Sequence, residues 1–199
     1  MSTAFKYTTF EPKKLTLPRE GTVVIVVDMQ NDFVNEGGRL YVGDSVRKII
    51  PNIQRTLSKA REKKVPVVYT QDWHVKDDPE FKVWPAHCVE ETDGAEVVQS
   101  LKPASGDLVV RKKSYDPWFK TELEELLRRL KAKTLVVTGT VSNICVLHAV
   151  AGATLRGYEP VIPVDCTAAL NDVDQEFVFR QMVFLYKGFL TTSELLSFQ

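Results

Sequence analysis

TLVVTGTVSNICVLHAVAGATLRG, residues 134–157, is the stretch of sequence that decides the fold. It opens with a short apolar and partly β-branched run that ends at Gly139, a pattern typical of a buried strand. Apolar residues then recur with helical spacing from Ile144, and Gly157 is a suitable residue to end that helix. Because good N-cap residues stand just before it, the pattern places Cys145 in the first turn of a helix that directly follows a core strand.

The position of Cys145 suggests a chemical role. A thiol at the start of a helix faces backbone N–H groups and the positive end of the helix dipole, and both favour the thiolate. The same N–H groups can hold an oxyanion. Cys145 is therefore a candidate nucleophile of unusually low pKa, the alternative being a small buried apolar residue, as most cysteines are.

Composition limits the class of protein. The 199 residues suit one domain of medium size. The 26 basic and 26 acidic residues cancel, which argues against nucleic acid or an anionic membrane as a partner. The sequence contains neither the run of about 20 apolar residues that a membrane helix needs nor an apolar signal segment. Its three widely spaced cysteines indicate a reducing compartment, so we expect a soluble, cytoplasmic protein.

Strand and helix patterns alternate along most of the chain. Residues 1–21 show no clear period and predict an N-terminal arm on the surface, and residues 22–199 predict a single domain. Strands are predicted over residues 22–28, 65–71, 107–112, 134–139, 158–165 and 189–192, and helices over 46–57, 121–130, 144–157 and 174–186. This alternation predicts an α/β fold, doubly wound, with a mostly parallel six-stranded sheet and helices on both faces.

Polar residues follow several of the predicted strands. Ligands of such sheets bind at the carboxyl ends of the strands. Asp28 ends the first strand, Lys112 ends the third and Cys145 follows the fourth. Alone, Asp28 could cap a turn and Lys112 could be a solvated charge, but their joint placement with a cysteine predicts a catalytic site. The second strand leads into an irregular loop, 72–94, which contains Asp72, His74 and His87.

Five short motifs resemble the cysteine hydrolase family of nicotinamidases and isochorismatase-like proteins. They are VVIVVDMQNDFV (23–34), DWH (72–74), WPAHC (84–88), VVRKKSY (109–115) and TGTVSNICVLHA (138–149). The resemblance implies a catalytic triad of Asp28, Lys112 and Cys145. It also implies a non-proline cis peptide bond between Thr140 and Val141, and an oxyanion hole formed by the backbone N–H groups of Val141 and Cys145.

The resemblance further implies a divalent metal ion, Zn²⁺, Mn²⁺ or Fe²⁺, which nicotinamidases use to hold the pyridine nitrogen. Two histidines and carboxylates suit these ions, the alternative being a surface loop with stray histidines. Asp72, His74 and His87 are the expected ligands. The third histidine common among nicotinamidases is absent. Counting forward from Asp72 places Asp78 at its position, whereas counting back from His87 places Glu80 where relatives have a glutamate ligand. The match of DPEFKVWPAH (78–87) to relatives selects Glu80 as a ligand, with Asp78 as a neighbouring group or turn cap.

Three aromatic residues, Phe33, Trp84 and Trp118, are candidate walls of the substrate pocket, the alternative being that they belong to the core. The segment after Lys112 departs from the family pattern, which makes the substrate uncertain. The resemblance implies an amidohydrolase acting on a small carboxamide, with nicotinamide as the leading candidate and a thioester on Cys145 as the intermediate.

Other functions remain open on the sequence alone. The same scaffold could hydrolyse a ureido or carbamoyl amide, or a vinyl ether, although relatives with the latter activity often lack the cysteine. A non-catalytic domain for oligomerisation or partner binding would not need Asp28, Lys112 and Cys145 together. The expected partners are therefore a small-molecule amide and further copies of the chain in a homo-oligomer.

Overall fold

A parallel sheet forms the centre of the computed structural model, which describes residues 11–199. The strands are β1 (Leu15–Leu17), β2 (Thr22–Val27), β3 (Val67–Asp72), β4 (Leu108–Lys112), β5 (Thr134–Thr140), β6 (Glu159–Pro163), β7 (Thr167–Ala168), β8 (Phe189–Thr191) and β9 (Leu196–Phe198). The helices are α1 (Asn31–Val34), α2 (Asp44–Lys48), α3 (Ile50–Glu62), α4 (Leu123–Arg129), α5 (Leu147–Leu155) and α6 (Asp172–Phe184).

The order of the strands explains where a ligand can bind. The sheet runs β4-β3-β2-β5-β6-β8 with all neighbours parallel, which confirms the predicted doubly wound fold. The two-residue strand β7 also pairs with the end of β5, so the sheet has seven strands and not six. The chain winds outward in opposite directions from β2 and β5, and ligands of open α/β sheets bind at such a switch point.

Helices cover both faces of the sheet. Along β2, Val24 and Val26 join the core that includes α3, whereas Val23, Ile25 and Val27 join the core that includes α4, α5 and α6. Every residue of β2 is buried, as expected for a β-branched strand between two helical layers. Among the described residues, no helix is long and apolar enough to cross a membrane.

A second, small sheet joins the two ends of the described chain. β1 pairs in parallel with β9, and Leu17 packs into the core on the α3 side. Lys59 of α3 supports the C-terminal segment by donating hydrogen bonds to three of its carbonyl groups, at 2.7 to 3.0 Å. Residues 1–10 of the predicted arm lie outside the described residues, and the rest of it contains a strand that we did not predict.

Candidate active site

Three polar side chains meet where β2, β4 and β5 end. The Lys112 Nζ atom lies 2.7 Å from Asp28 Oδ2 and 3.8 Å from Cys145 Sγ. All three residues are buried, with exposed fractions of 0% for Asp28, 2% for Lys112 and 5% for Cys145. The neighbouring Lys113 is exposed and lines the outer cleft described below. The structure thus brings together the three residues that the resemblance implies as a catalytic triad.

The backbone around Asp28 is specialised. Asp28 has a φ of 49°, in the left-handed region that non-glycine residues seldom adopt outside functional sites and turns. Thr70 donates a hydrogen bond of 2.8 Å from Oγ1 to Asp28 Oδ1, which orients the carboxylate. On the adjacent strand, a Cβ atom on Gly139 would lie 2.0 Å from the carbonyl oxygen of Val27. Only glycine therefore allows β5 to approach β2 this closely beside the site.

The turn that carries Cys145 begins with a cis peptide bond between Thr140 and Val141, as the resemblance implied. Residues 142–146 then form a π-helical turn, a conformation frequent at functional sites. The Val141 carbonyl accepts hydrogen bonds from the N–H groups of Ile144, at 3.0 Å, and Val146, at 3.2 Å. Val141 and Cys145, the two residues expected at the oxyanion hole, both line the same small cavity.

Asp72 connects the triad to the histidine loop. Its Oδ1 atom accepts a hydrogen bond from Lys112 Nζ. Its Oδ2 atom lies 3.9 Å from His74 Nε2 and 3.8 Å from His87 Nε2. One carboxylate therefore contacts Lys112 on one side and faces the two imidazoles on the other.

The cluster of Asp72, His74 and His87 has the donor set of a transition-metal site. One ligand atom from each residue lies within 4.8 Å of the other two, and all three residues are buried. His87 Nδ1 is 2.8 Å from the carbonyl oxygen of Pro85, so Nδ1 is the donor and Nε2 carries the free lone pair. His74 Nε2 is buried without a hydrogen-bond partner. A buried imidazole nitrogen without a hydrogen-bond partner fits a metal ligand, so these three residues could hold a divalent ion.

The two candidates for a fourth ligand lie beside this cluster. Asp78 accepts a hydrogen bond of 3.0 Å from the backbone N–H of Glu80, and its Oδ2 atom lies 3.2 Å from His74 Nδ1. Asp78 therefore caps the turn and lies beside the expected ligand His74, as the sequence predicted. Glu80 is half-buried in the turn Pro79–Lys82 and lies outside the group within 4.8 Å. Ligation by Glu80 stays a prediction.

Charges in the site shift the pKa values of its buried acids and base. Burial raises the pKa of Asp28 above its ordinary value, although the charge of Lys112 opposes this shift. Burial also acts to raise the pKa of Asp72, but the charge of Lys112 and the adjacent imidazoles of His74 and His87 outweigh it and hold that pKa well below the usual range. Burial alone would lower the pKa of Lys112, yet Asp28 and Asp72 raise it well above its ordinary value. Lys112 is therefore a permanent cation between two carboxyl groups.

The expectation of an unusually low pKa at Cys145 is wrong for the resting site. Burial raises the pKa of this thiol well above its ordinary value. Lys112 acts in the opposite direction, but the nearby carboxylates Asp28 and Asp72 reinforce the increase. The sequence indicated a helix start and a nearby lysine, which both lower a thiol pKa. It did not indicate that two carboxylates would surround the ammonium group of that lysine. Cys145 consequently needs a base to accept its proton, and its partner Asp28 has the raised pKa that suits this task.

A small cavity of about 60 Å³ lies over Cys145, lined by Phe33, Val141, Asp72 and His87 among others. It adjoins an open cleft of about 960 Å³. Trp84, Tyr115, Glu80 and Ile144 line both spaces and form the boundary between them. Phe33 and Trp84 thus lie where a substrate could contact them.

The expected role of Trp118 as a pocket wall does not agree with its position. Trp118 is buried against α5, where its indole N–H donates a hydrogen bond of 3.2 Å to the Ala149 carbonyl. Its ring covers Gly152, at which a Cβ atom would lie 2.2 Å from Trp118 Cδ1. The chain turns just before Trp118, and the turn is stabilised by a hydrogen bond of 2.9 Å from the Trp118 N–H to Asp116 Oδ1. Tyr115, which precedes this turn, lines the cavity in its place.

A family model of the isochorismatase domain matches residues 22–194. The chain belongs to the isochorismatase family. This isochorismatase-family chain is 29% identical over 171 residues to the uncharacterised isochorismatase family protein YaaI of Bacillus subtilis, with 86% of this chain and 93% of that protein covered.

Two solved structures relate the isochorismatase-family chain to amidases. The N-carbamoylsarcosine amidase of Thermoplasma acidophilum has a TM-score of 0.80 and 32% identity, over 87% of this chain and 96% of that one. The nicotinamidase of Bacillus subtilis has a TM-score of 0.79 and 26% identity, over 86% of this chain and 99% of that one. The family to which the chain belongs thus includes hydrolases of C–N bonds.

Gln30 supports the site of this isochorismatase-family protein, and we did not predict its role. Gln30 is fully buried and its side-chain amide forms hydrogen bonds with both the N–H and the carbonyl of Asp72, at 2.9 and 2.8 Å. A further bond of 2.7 Å reaches the carbonyl of Ala95. Its place two residues after Asp28 in the first motif was the available signal, but a buried glutamine has no visible partner in a sequence. Gln30 holds the backbone of the residue that joins lysine and histidines.

Replacing Gln30 with methionine should destabilise the protein by about 3 kcal/mol, because three buried hydrogen bonds are lost and the N–H and carbonyl of Asp72 lose their Gln30 partner, while the Ala95 carbonyl keeps only its bond of 3.2 Å from Gln71. Urea unfolding monitored by circular dichroism measures this difference. Gln54→Met is the matched control, since Gln54 donates a single exposed hydrogen bond to the Ser100 carbonyl. Equal stabilities of the two variants would show that Gln30 does not hold the loop.

Proposed function

We propose that the protein hydrolyses a small carboxamide or carbamoyl compound through a thioester on Cys145. The observation that supports this proposal is the buried contact of one lysine with both a thiol and a carboxylate at the switch point of the sheet. The amidases among the similar structures favour the same reaction class. The three residues then act as nucleophile, base and fixed cation.

In the first half of the proposed reaction, Asp28 accepts the proton of the Cys145 thiol as the sulfur attacks the carbonyl carbon. Lys112 remains protonated and stabilises the negative charge that moves between thiol and carboxylate. The backbone N–H groups of Val141 and Cys145 hold the oxygen of the tetrahedral intermediate. Asp28 then returns its proton to the departing nitrogen, which leaves as ammonia or an amine, and a thioester remains on Cys145.

In the second half, water enters the vacated space over the thioester. Asp28 is a carboxylate again and accepts a proton from that water as the water oxygen attacks the thioester carbon. The carbon–sulfur bond breaks, the acid product forms, and the proton on Asp28 returns to the sulfur. Each group ends in its starting state, so one base serves both halves of the reaction.

Asp72, His74 and His87 would hold a divalent metal ion, for which Zn²⁺, Mn²⁺ and Fe²⁺ are the candidates. When bound, such an ion supplies a positive charge that attracts a polar group of the substrate beside the thiol. Asp72 would connect the ion to Lys112, because its Oδ1 atom accepts a hydrogen bond from Lys112 and its Oδ2 atom lies beside the two imidazoles.

The ligand set can be tested by metal content. His74→Ala and His87→Ala should each reduce the bound metal measured by elemental analysis to near zero. Glu80→Ala should lose metal while Asp78→Ala keeps most of it, if Glu80 closes on the ion as the sequence predicts. Metal lost from Asp78→Ala and retained by Glu80→Ala would mean that the carboxylate bound to His74 Nδ1, and not Glu80, supports the ion.

Two substrate classes should be compared directly. Nicotinamide is the candidate implied by the resemblance to nicotinamidases, and carbamoyl compounds are the candidate suggested by the similarity to an N-carbamoylsarcosine amidase. Ammonia release from nicotinamide and from N-carbamoylglycine, with Cys145→Ala as the blank, distinguishes them. A metal-loaded protein that released ammonia from neither, but hydrolysed a vinyl ether, would show that the scaffold serves the other reaction of the family. A protein inactive on all three would contradict the proposed function.

A cytoplasmic location and a homo-oligomeric state belong to the same proposal. The three cysteines are free and buried, which suits a reducing compartment. Sedimentation of the full chain measures the oligomeric state.

A further inference from the structure

The open cleft beside the catalytic cavity has an excess of positive charge. Arg111, Lys113 and Lys120 line it, and all three are exposed. Within residues 11–199, none of the three forms a salt bridge.

Aromatic rings, and not carboxylates, hold two of these cations. The guanidinium carbon of Arg111 lies 3.8 Å from the centre of the Trp73 ring, and Lys120 Nζ lies 4.9 Å from the centre of the Phe119 ring. A ring face fixes the position of a cation but carries no formal charge to neutralise it. Arg111 and Lys120 are thus oriented within the cleft while their charge stays available to a ligand.

The acidic residues of the cleft lie at its inner end and are engaged there. Asp78 contacts His74 and caps the turn before Glu80. Glu80 lines the small cavity as well as the cleft, so it lies at the boundary between the two. The outer part of the cleft therefore keeps a net positive potential.

The size of the cavity limits what can enter it. A buried water needs about 10–15 Å³ by this kind of measure, so a cavity of about 60 Å³ accepts a group of about four heavy atoms. A carboxamide or ureido group has this size. The further part of a substrate whose carbonyl reaches Cys145 can extend past Trp84 and Tyr115 into the cleft.

We propose that the substrate is an amide or ureide that carries a carboxylate, with the carboxylate bound by Arg111, Lys113 and Lys120 in the outer cleft. This inference rests on the proposed function, because it assumes that the reacting amide enters the cavity over Cys145. Carbamoyl amino acids have the required form, with a compact ureido group at one end and a carboxylate at the other. A neutral amide such as nicotinamide would leave the cations of the cleft unused.

Binding to the full-length Cys145→Ala protein tests the inference without turnover. Calorimetry should show that N-carbamoylglycine binds at least tenfold more tightly than its uncharged methyl ester, and that this preference weakens as salt is raised. The double variant Arg111→Gln/Lys120→Gln in the same background should lose about tenfold in affinity for the acid, at a few-fold for each exposed charge. Its affinity for the ester should change less than twofold. Arg128→Gln, which removes an exposed cation that pairs with Glu124 on α4, is the matched control.

The outcomes separate the two proposals. Equal affinity for acid and ester, or equal losses for both in the double variant, would overturn the carboxylate site whatever the enzyme hydrolyses. Hydrolysis of nicotinamide by the Cys145-containing protein together with no preference for the acid would leave the proposed function intact and refute this inference. A preference for the acid that depends on Arg111 and Lys120, together with no ammonia release, would support the site and contradict the proposed reaction.

Discussion

Cys145→Ala should lower kcat for amide hydrolysis by about 10⁶-fold, because removal of the nucleophile from a catalytic triad costs this order of magnitude in a comparable hydrolase. The thiol is also the only group of the triad that becomes covalently attached to the acyl group in the proposed mechanism. Substrate affinity measured by calorimetry should stay within a few-fold, since the side chain contributes little to the walls of the cavity. Ammonia release under single-turnover conditions measures the effect on the chemical step.

Cys166→Ala is the matched control for this variant. Cys166 is buried beside Thr56 of α3 and has no role in the proposed reaction, so the kcat of this variant should stay within a few-fold of the parent. Iodoacetamide should modify Cys145 before Cys88 or Cys166, because Cys145 lines the cavity and the other two thiols are fully buried. Full activity in Cys145→Ala, or first labelling at another cysteine, would contradict the assignment of the nucleophile.

The fold followed from the sequence because buried parallel strands have a strong signal. β2 and β5 are β-branched runs with no exposed residue, and each is followed by a change of pattern. β1, β7 and β9 were missed because two or three residues are too few to show a period. Their pairing depends on distant segments, β9 for the first and the end of β5 for the second.

The candidate site was predictable where one residue type at a strand end carries the signal. Asp28, Lys112 and Cys145 are of this kind. The double role of Asp72 could not be read from the sequence, since it depends on which oxygen faces Lys112 and which faces the histidines. The prediction for Trp118 was wrong for a different reason. Trp118 follows Lys112 closely in the sequence, but the chain turns at Asp116 and the indole packs on Gly152 instead of lining the cavity.

Lys112→Met should lower kcat by at least about 10³-fold, because the cation that stabilises both the thiolate and the oxygens of Asp28 disappears. The methionine keeps most of the length of the buried stem. The variant should also lose about 3–5 kcal/mol of stability, the usual effect of removing one partner from a buried ion pair. Here two carboxylates, on Asp28 and Asp72, would remain buried without a compensating charge. Lys63→Met, on the exposed surface of α3's C-terminal end, should change neither quantity.

A double variant separates the two effects of Lys112. In Lys112→Met/Asp28→Asn, one of the uncompensated carboxylates is replaced by a neutral amide of the same shape, so the free energy of unfolding should recover in part. Activity should not recover, because the base that accepts the Cys145 proton is also gone. Urea unfolding and ammonia release on the same three proteins measure both quantities. Recovery of activity together with stability would mean that Lys112 supports only the fold. A double variant that is more stable but still inactive is the result expected if Lys112 acts on Asp28 and Cys145 directly.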